Sequence, residues 1–401
     1  MKSLKSGYTT VQFRLYLIVF FVVLAFSITQ LVVPLYAFKV GASQLEIGLI
    51  GLVYFAASVP LSPLFGRLSD KVGRSHILVV SILGNAVTTI LLIVAENVLG
   101  LVVLRAIQGI LASAFWPITE ACVADVAPPS KMGEAMSLFS ISYGLSFMIG
   151  PTAGGFFLDN YSFDTAFLAS FVLLIISIPA ILIKRKTRSD CSNTDCKDES
   201  ISTVHKLFET TEYEKRILFP CCLAVWLYGI IAGVVTAIFP VFAKVIGLTA
   251  TQIGFLLMGY GFARIVAFWG AGKLGDRFDK KMLNIIGVGV CSSIMFVAVL
   301  RAFDHLFVVM ALIGIGLGVI YPSSLALISA VSSTRRGLLI GFFDSSLSLG
   351  MAMGSQLGGA LAEYGGLETP YYFCSAANII GVMILTLQLR KSNNARRISS
   401  S

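Results

Sequence analysis

The sequence predicts an all-α integral membrane protein whose twelve transmembrane helices form two parallel six-helix bundles. Three observations carry this reading. Of the 401 residues 56% are hydrophobic and only 13% are charged, whereas a soluble domain usually has about a quarter of its residues charged. The apolar residues gather in runs of the roughly 20 residues needed to cross a hydrocarbon core about 30 Å thick. Finally, landmarks of the first half recur in the second at a nearly fixed offset.

The runs are 14–37, 46–66, 76–95, 98–124, 134–158, 164–184, 216–242, 252–272, 282–301, 305–330, 337–361 and 370–390. They read as helices because membrane-barrel strands would alternate apolar and polar residues in segments of about ten, and because a helix satisfies its own backbone hydrogen bonds in lipid. The first run is too long for a signal-peptide core and lacks a small-residue cleavage site, so it counts as a span. One long polar stretch interrupts the series. The expected organisation is therefore an N-terminal bundle over 1–184, a linker over 185–215, and a C-terminal bundle with a short tail over 216–401.

With twelve spans both termini share a side. Of the 30 Lys and Arg, 25 fall in the tails and even-numbered connections, three (Lys39, Lys244, Arg301) in odd-numbered ones, and two inside spans. By the positive-inside rule the tails are expected in the cytoplasm, under a plasma membrane. The net charge of +9 is thus a topology signal. No aromatic-basic motif points to nucleic acid.

The seven Cys suggest no disulfide framework, and the pair in "CSNTDC" (191–196) lacks the second pair a metal site would need. The three His (76, 205, 305) fall at span ends or in connections and read as solvated surface. No HExxH, GxSxG or Walker loop is present, so no enzyme activity, metal or cofactor is expected.

The repeat sets "PLYAFKVGASQLEIG" (34–48) against "PVFAKVIGLTATQIG" (240–254), keeping Pro, Gly and Gly at an offset of 206. Gly109 and Pro117 match Gly314 and Pro322 at 205, and Gly150, Gly154 and Gly155 match Gly354, Gly358 and Gly359 at 204. Each half has an even number of spans, so both enter the membrane in one orientation. Parallel repeats of this kind belong to transporters that rock two bundles about a central site; duplication for packing alone, as in a channel or scaffold, is the alternative.

Charges inside spans are the sharper signal, since one at mid-membrane costs from about 2.5 to more than 10 kcal/mol. Arg105 and Glu120 both lie in span four, some 22 Å apart at roughly 1.5 Å per residue, and cannot pair. Trp116 shares a helical face with Glu120, which suits a lipophilic cation or a proton-coupled site. Asp344 in span eleven is a second candidate acid; Asp125 near the inner end of span four is a third, with packing or gating as its other reading. A cavity between spans one, four, seven and ten would be lined by Gln30, Trp116, Trp226, Tyr228 and Tyr321. Arg264 reads as structural. Gly150, Pro151, Gly154 and Gly155 suit close helix contact.

Charge also crowds into "FGRLSDKVGRSHIL" (65–78), where Gly66, Arg67, Asp70, Lys71, Gly73 and Arg74 are expected to form a turn. Asp70 would face the positive N-terminus of span eleven. "AGKLGDRFDKKML" (271–283) repeats the pattern with Gly272, Asp276 and Arg277.

These stretches, with "RAIQG" (105–109), "ADVAPPSKMGEAM" (124–136) and "SFMIGPTAGG" (146–155), resemble the motifs of the major facilitator superfamily, and within it the twelve-span drug:proton antiporter branch. The resemblance implies the fold of that superfamily. It further implies a conformational latch at Asp70 against span eleven and at Asp276 against span five, closing the cytoplasmic side when the site opens outward. Arg105 would be the charge that tunes a nearby acid, and Asp125 the fourth-span acid. The fifth-span motif is associated with exporters, with Ser146 here where Gly is usual. The expected function is proton-coupled export of lipophilic or cationic compounds by a monomer in the lipid bilayer, its partners a small-molecule substrate and protons. A same-fold carrier of sugars, organic anions or other metabolites, importers included, and a non-transporting sensor stay open as alternatives.

Overall fold

The computed structural model describes residues 2–128, 132–182, 212–275, 279–329 and 336–400, and among them every regular element is helical. The linker, with Cys191 and Cys196, lies almost wholly outside the described residues, as do Asp276 and Arg277. Among the described residues fifteen α-helices build the twelve spans. The first bundle comprises α1 (Lys2–Lys39), α2 (Gln44–Ala56), α3 (Ser58–Val72), α4 (Arg74–Leu91), α5 (Val98–Val126), α6 (Met132–Asn160) and α7 (Phe163–Leu182). The second comprises α8 (Glu212–Ala237), α9 (Phe239–Val245), α10 (Ala250–Gly275), α11 (Lys280–Cys291), α12 (Met295–Val299), α13 (Phe303–Ser329), α14 (Arg336–Gly365) and α15 (Thr369–Ser400). Eleven helical segments are long and apolar enough to cross a membrane. The remaining span, α14, has 30 residues but carries Asp344 and many Ser and Gly, which suits its place against α8 and α2 in the interior.

The repeat in sequence is a repeat in geometry. Gly41 and Gly247, 206 residues apart, both take left-handed backbone (φ 92° and 95°), where a side chain would be strained. Each turn feeds a capped helix. Ser43 Oγ accepts from the Glu46 amide at 3.2 Å while the Glu46 carboxylate accepts from the Ser43 amide at 2.8 Å. Thr249 and Gln252 make the equivalent pair at 3.2 and 2.9 Å. Both are capping boxes that satisfy otherwise orphaned amides at a helix start.

Glycines set how closely the helices approach. A Cβ on Gly109 would meet the Tyr54 carbonyl, and one on Gly314 the Tyr260 carbonyl, the same contact in each half. Across the halves, Gly155 faces the backbone of Ala250 and Thr251, and Gly359 faces Gln44 and Gly48. Gly150 lies against Ser27, Gly154 keeps ordinary distance from Ile28 and Val32, and the Pro151 carbonyl lies against Gly254. Ser146, in place of the usual glycine, is buried and donates to the Phe20 carbonyl at 2.8 Å, tying α6 to α1.

Gly359→Ala is expected to lower the thermal midpoint of the purified protein by the equivalent of about 1–3 kcal/mol, because the added methyl has backbone rather than a movable side chain in front of it. Gly341→Ala on the same helix has nothing within 4 Å and serves as the neutral or slightly stabilised control, since alanine favours helix by about 1 kcal/mol over glycine. Equal midpoints for the two variants would refute the packing account.

Span two corrects the sequence reading. The helix breaks at Ala57 and then runs on as α3 to Val72, so Gly66, Arg67, Asp70 and Lys71 sit on a helix and Gly73 alone (φ 102°) makes the turn. The chain from Leu64 to Val72 contains no residue that stops a helix, and Ser69 stays in register by donating to the Gly66 carbonyl at 2.7 Å. Nothing lies within 4 Å of a Cβ built on Gly66, so in this arrangement Gly66 mediates no close packing. Arg67 and Lys71 are exposed.

Candidate functional site

The two halves meet at one face of the bundle and part at the other. The meeting face lies opposite the one bearing the chain termini and the α3–α4 turn. There α6 packs on α10 and α14 packs on α2, whereas α5 does not pack against α13 or α14 among the described residues. Two carboxylates seal the meeting face. Asp159, at the end of α6, accepts from the Ala250 amide at 3.0 Å and the Thr251 amide at 2.7 Å, the first two residues of α10. Glu363, near the end of α14, accepts from the Gln44 amide, the first of α2, at 2.8 Å. Asp159 and Glu363 are 204 residues apart, and Gln44 and Ala250 are 206 apart; the seal is therefore one device used twice. Each places an anion where free amides and the helix dipole favour it.

Toward the terminal face the halves enclose a cleft walled by aromatic rings. From α5 and α6 come Trp116, Tyr143 and Phe147, with successive centroids 5.2 and 4.9 Å apart. From the second half come Tyr228 on α8, Phe268 on α10 and Tyr321 on α13, with the Tyr321 ring 6.3 and 6.1 Å from those of Tyr228 and Phe268 and backed at 5.2 Å by the buried Phe343 of α14. Glu120 and Asp344 stand in this cleft, one from each half, both solvent-exposed and within electrostatic reach of one another. The Tyr321 hydroxyl donates to Asp344 at 3.4 Å and also feels the Glu120 charge. Burying a single carboxylate here would be costly; access to water explains how two are tolerated.

The other charged candidates fare differently. Arg105 is buried and engaged by neutral groups: Nη2 donates to Gln30 and Nη1 to Gln108, both at 3.1 Å, with the guanidinium 4.1 Å above the Tyr54 ring. Gln108 in turn donates to Thr89 at 3.1 Å. Gln30 thus belongs to a polar knot near the seam of the halves, beside Ile47, Gly51 and Thr236, and away from the aromatic cleft. Asp125 is not a cavity acid. It pairs with Arg74 across the start of α4, because the end of α5 carries it past the cleft to the terminal face. Trp226 is half-buried against the core of the second half, its carbonyl against Gly350 of α14. Gly272 lies in the last turn of α10, and the Asp70 side chain lies outside what is described.

Sequence reasoning missed Tyr143 and the two sealing acids. Arg264, expected to be structural, is buried and donates to the Tyr228 hydroxyl at 3.1 Å. For Asp159 and Glu363 the signal was present. Both follow the second glycine of the repeated Gly-Gly pair by four residues.

Comparison with known proteins agrees with this architecture. The model of the Major Facilitator Superfamily matches residues 15–203 and 221–400. An uncharacterized MFS-type transporter of Methanocaldococcus jannaschii is 26% identical over 364 residues, covering 90% of this chain and 93% of that protein. Multidrug resistance protein MdtG of Proteus mirabilis is 25% identical over 378 residues, covering 91% and 92%. Among solved structures, the nucleoside transporter NupG superposes with a TM-score of 0.75 at 13% identity over 94% of this chain and 99% of that one. A POT family transporter bound to 5-aminolevulinic acid gives 0.79 at 12% identity over 94% and 95%. These two show the fold. On the twelve-span architecture, the internal repeat and the match along both halves, the chain is a multi-pass membrane transporter that belongs to the major facilitator superfamily.

Proposed function

We propose that the protein exports lipophilic, predominantly cationic small molecules in exchange for protons, by alternating access of a central cleft to the two sides of a plasma membrane. The observation that carries this reading is the pair Glu120 and Asp344, contributed by different halves to one aromatic-walled, water-accessible cleft. Aromatic faces attract cations, and a carboxylate in a site that is wet in one state and drier in another can exchange a proton for a cationic cargo. The likeness to multidrug resistance proteins supports the same direction.

The positive-inside count puts the termini, the linker over 185–215 and the α3–α4 turn in the cytoplasm. On that orientation the arrangement described above is open inward and sealed outward. Asp159 and Glu363 hold the outer side closed in this state. Asp70 and Asp276 would take over in the other, each bonding the cytoplasmic start of the helix paired with it, α14 for Asp70 and α6 for Asp276. Arg67, Lys71, Arg74 and Arg277 frame these acids and fix the topology. Such exposed pairs are worth roughly 0–1 kcal/mol each, which suits two states separated by a few kcal/mol. The transport unit is a monomer, since the cleft is complete within one chain.

The test is ethidium uptake into inverted membrane vesicles. The expected result is accumulation that requires an acidic lumen and collapses on adding a protonophore. Uptake that ignores the proton gradient would sink the coupling, and no uptake of any lipophilic cation would sink the cargo class.

A further inference from the structure

Arg264 is the charge that the export of simple cations does not use. It is 9% exposed, and it makes no ion pair with a described carboxylate. Its Nη1 donates to the Tyr228 hydroxyl at 3.1 Å, its guanidinium carbon lies 5.5 Å from the Tyr260 ring centre, and Tyr143 of the other half lies within electrostatic reach of it. Its Nε is buried with no partner at all. Every partner is therefore a neutral phenol or an aromatic face, and the side-on edge of the guanidinium, which a carboxylate engages through Nε and one Nη, is incompletely used.

An intramembrane cation held this way is expensive, and such residues mark substrate sites when they border a water-filled cavity. Arg264 borders one. Tyr143 lies within electrostatic reach of both Arg264 and Glu120, and Tyr321 within reach of Asp344 and Glu120. The cleft thus has two poles. Glu120 and Asp344 form an acidic one, Arg264 a basic one, and a layer of tyrosines separates them. A carboxylate adds an opposite charge and two parallel acceptors to what a single tyrosine hydroxyl offers the guanidinium, so a carboxylate displacing that hydroxyl gains in the exchange.

We propose that Arg264 is a specificity-determining residue that binds the anionic group of the cargo, so that the cleft takes lipophilic zwitterions, with the cation toward Glu120 and Asp344 and a carboxylate on Arg264. The proposal rests on the reading of the cleft as the site for lipophilic cations and adds a second point of recognition to it.

Rhodamine B, a lipophilic zwitterion, and its ethyl ester, a lipophilic cation of nearly the same shape, separate the two poles. Binding of each to the purified full chain in lipid nanodiscs is followed by fluorescence polarisation. The free acid is expected to bind the wild type more tightly than the ester. Arg264→Gln should weaken the acid by about tenfold to a hundredfold, the loss of one bond to a charged group, and leave the ester within about twofold. Arg264→Lys should recover part of the difference.

If Arg264→Gln weakens acid and ester alike, Arg264 only supports the fold and the proposal fails. It fails equally if the wild type does not prefer the acid, or if the acid is indifferent to the substitution. Normal binding of the ester in either of these last cases leaves the cation reading standing, whereas loss of both dyes on the wild type overturns that reading and this proposal with it.

Discussion

Replacing Glu120 with Gln, or Asp344 with Asn, is expected to abolish gradient-driven accumulation of lipophilic cations while leaving the protein folded and inserted. Both side chains are exposed to the cleft, so the amide leaves no buried group unpaired, and volume hardly changes. What disappears is the negative charge that holds the cargo and the site that carries the returning proton. Hydrogen bonds to charged groups contribute about 1.5–3 kcal/mol, which corresponds to a loss of affinity of about tenfold to a hundredfold for each acid. Because the two acids feel each other's charge, their effects should not add. The double variant is expected to lose less than the product of the single losses, since residues sharing one network couple.

The measurement is initial uptake into inverted vesicles with an imposed gradient, paired with counterflow without one. Counterflow that survives in Glu120→Gln while uphill uptake is lost would mark Glu120 as a proton carrier. Loss of both in equal measure would mark it as a cargo ligand. Unchanged uphill transport in both single variants would remove the carboxylate pair from the mechanism.

The helical spans, their number and the duplicated design are legible in the sequence because lipid leaves few options: apolar length and internal repetition dictate them directly. The boundaries within a span are not. Pro60 and Pro63 cannot donate to the carbonyls four residues back and so favour an interruption in span two, but a kinked continuous span would meet the same demand, and the letters do not place the break at Ala57. Glu120 and Asp344 were legible as charges in oil, but their meeting was not, since the cavity was expected from spans one, four, seven and ten and Asp344 lies on span eleven. The surroundings of Arg264 were not legible either. Its neighbours include Tyr143 and Tyr228, residues on two other helices that no local pattern ties to it. Gln30 was assigned to the cleft from its helix alone, and the long reach of Arg105 draws it into a separate knot. Asp159 and Glu363 were passed over because at span ends acids are common. Only the offset between them distinguishes them from ordinary loop charges.

That offset gives the remaining prediction its force. Asp159→Asn and Glu363→Gln are together expected to move the conformational balance toward the state open at the non-terminal face. An anion at a helix start contributes from about 0.3 to 2 kcal/mol, so two equivalent caps shift the balance by about threefold to several hundredfold. Each single substitution should do about half as much in free energy. The two sites are on opposite sides of the seam and share no partner, which makes additivity the default.

Spin labels at Glu96, in the connection before α5, and at His305, in the first turn of α13, both exposed at that face, report the opening as a longer distance when the native cysteines have been replaced. Asp70→Asn supplies the control of sign. By the proposed mechanism it removes a cap from the other end of the same pair of helices, α3 with α14, and should shorten the distance population that the double variant lengthens. If both sets of substitutions move the labels the same way, the acids act through general destabilisation. If they move them in opposite directions, the rocking of the halves is governed by which ends of two helix pairs, spans two with eleven and five with eight, have their exposed amides bonded to a carboxylate.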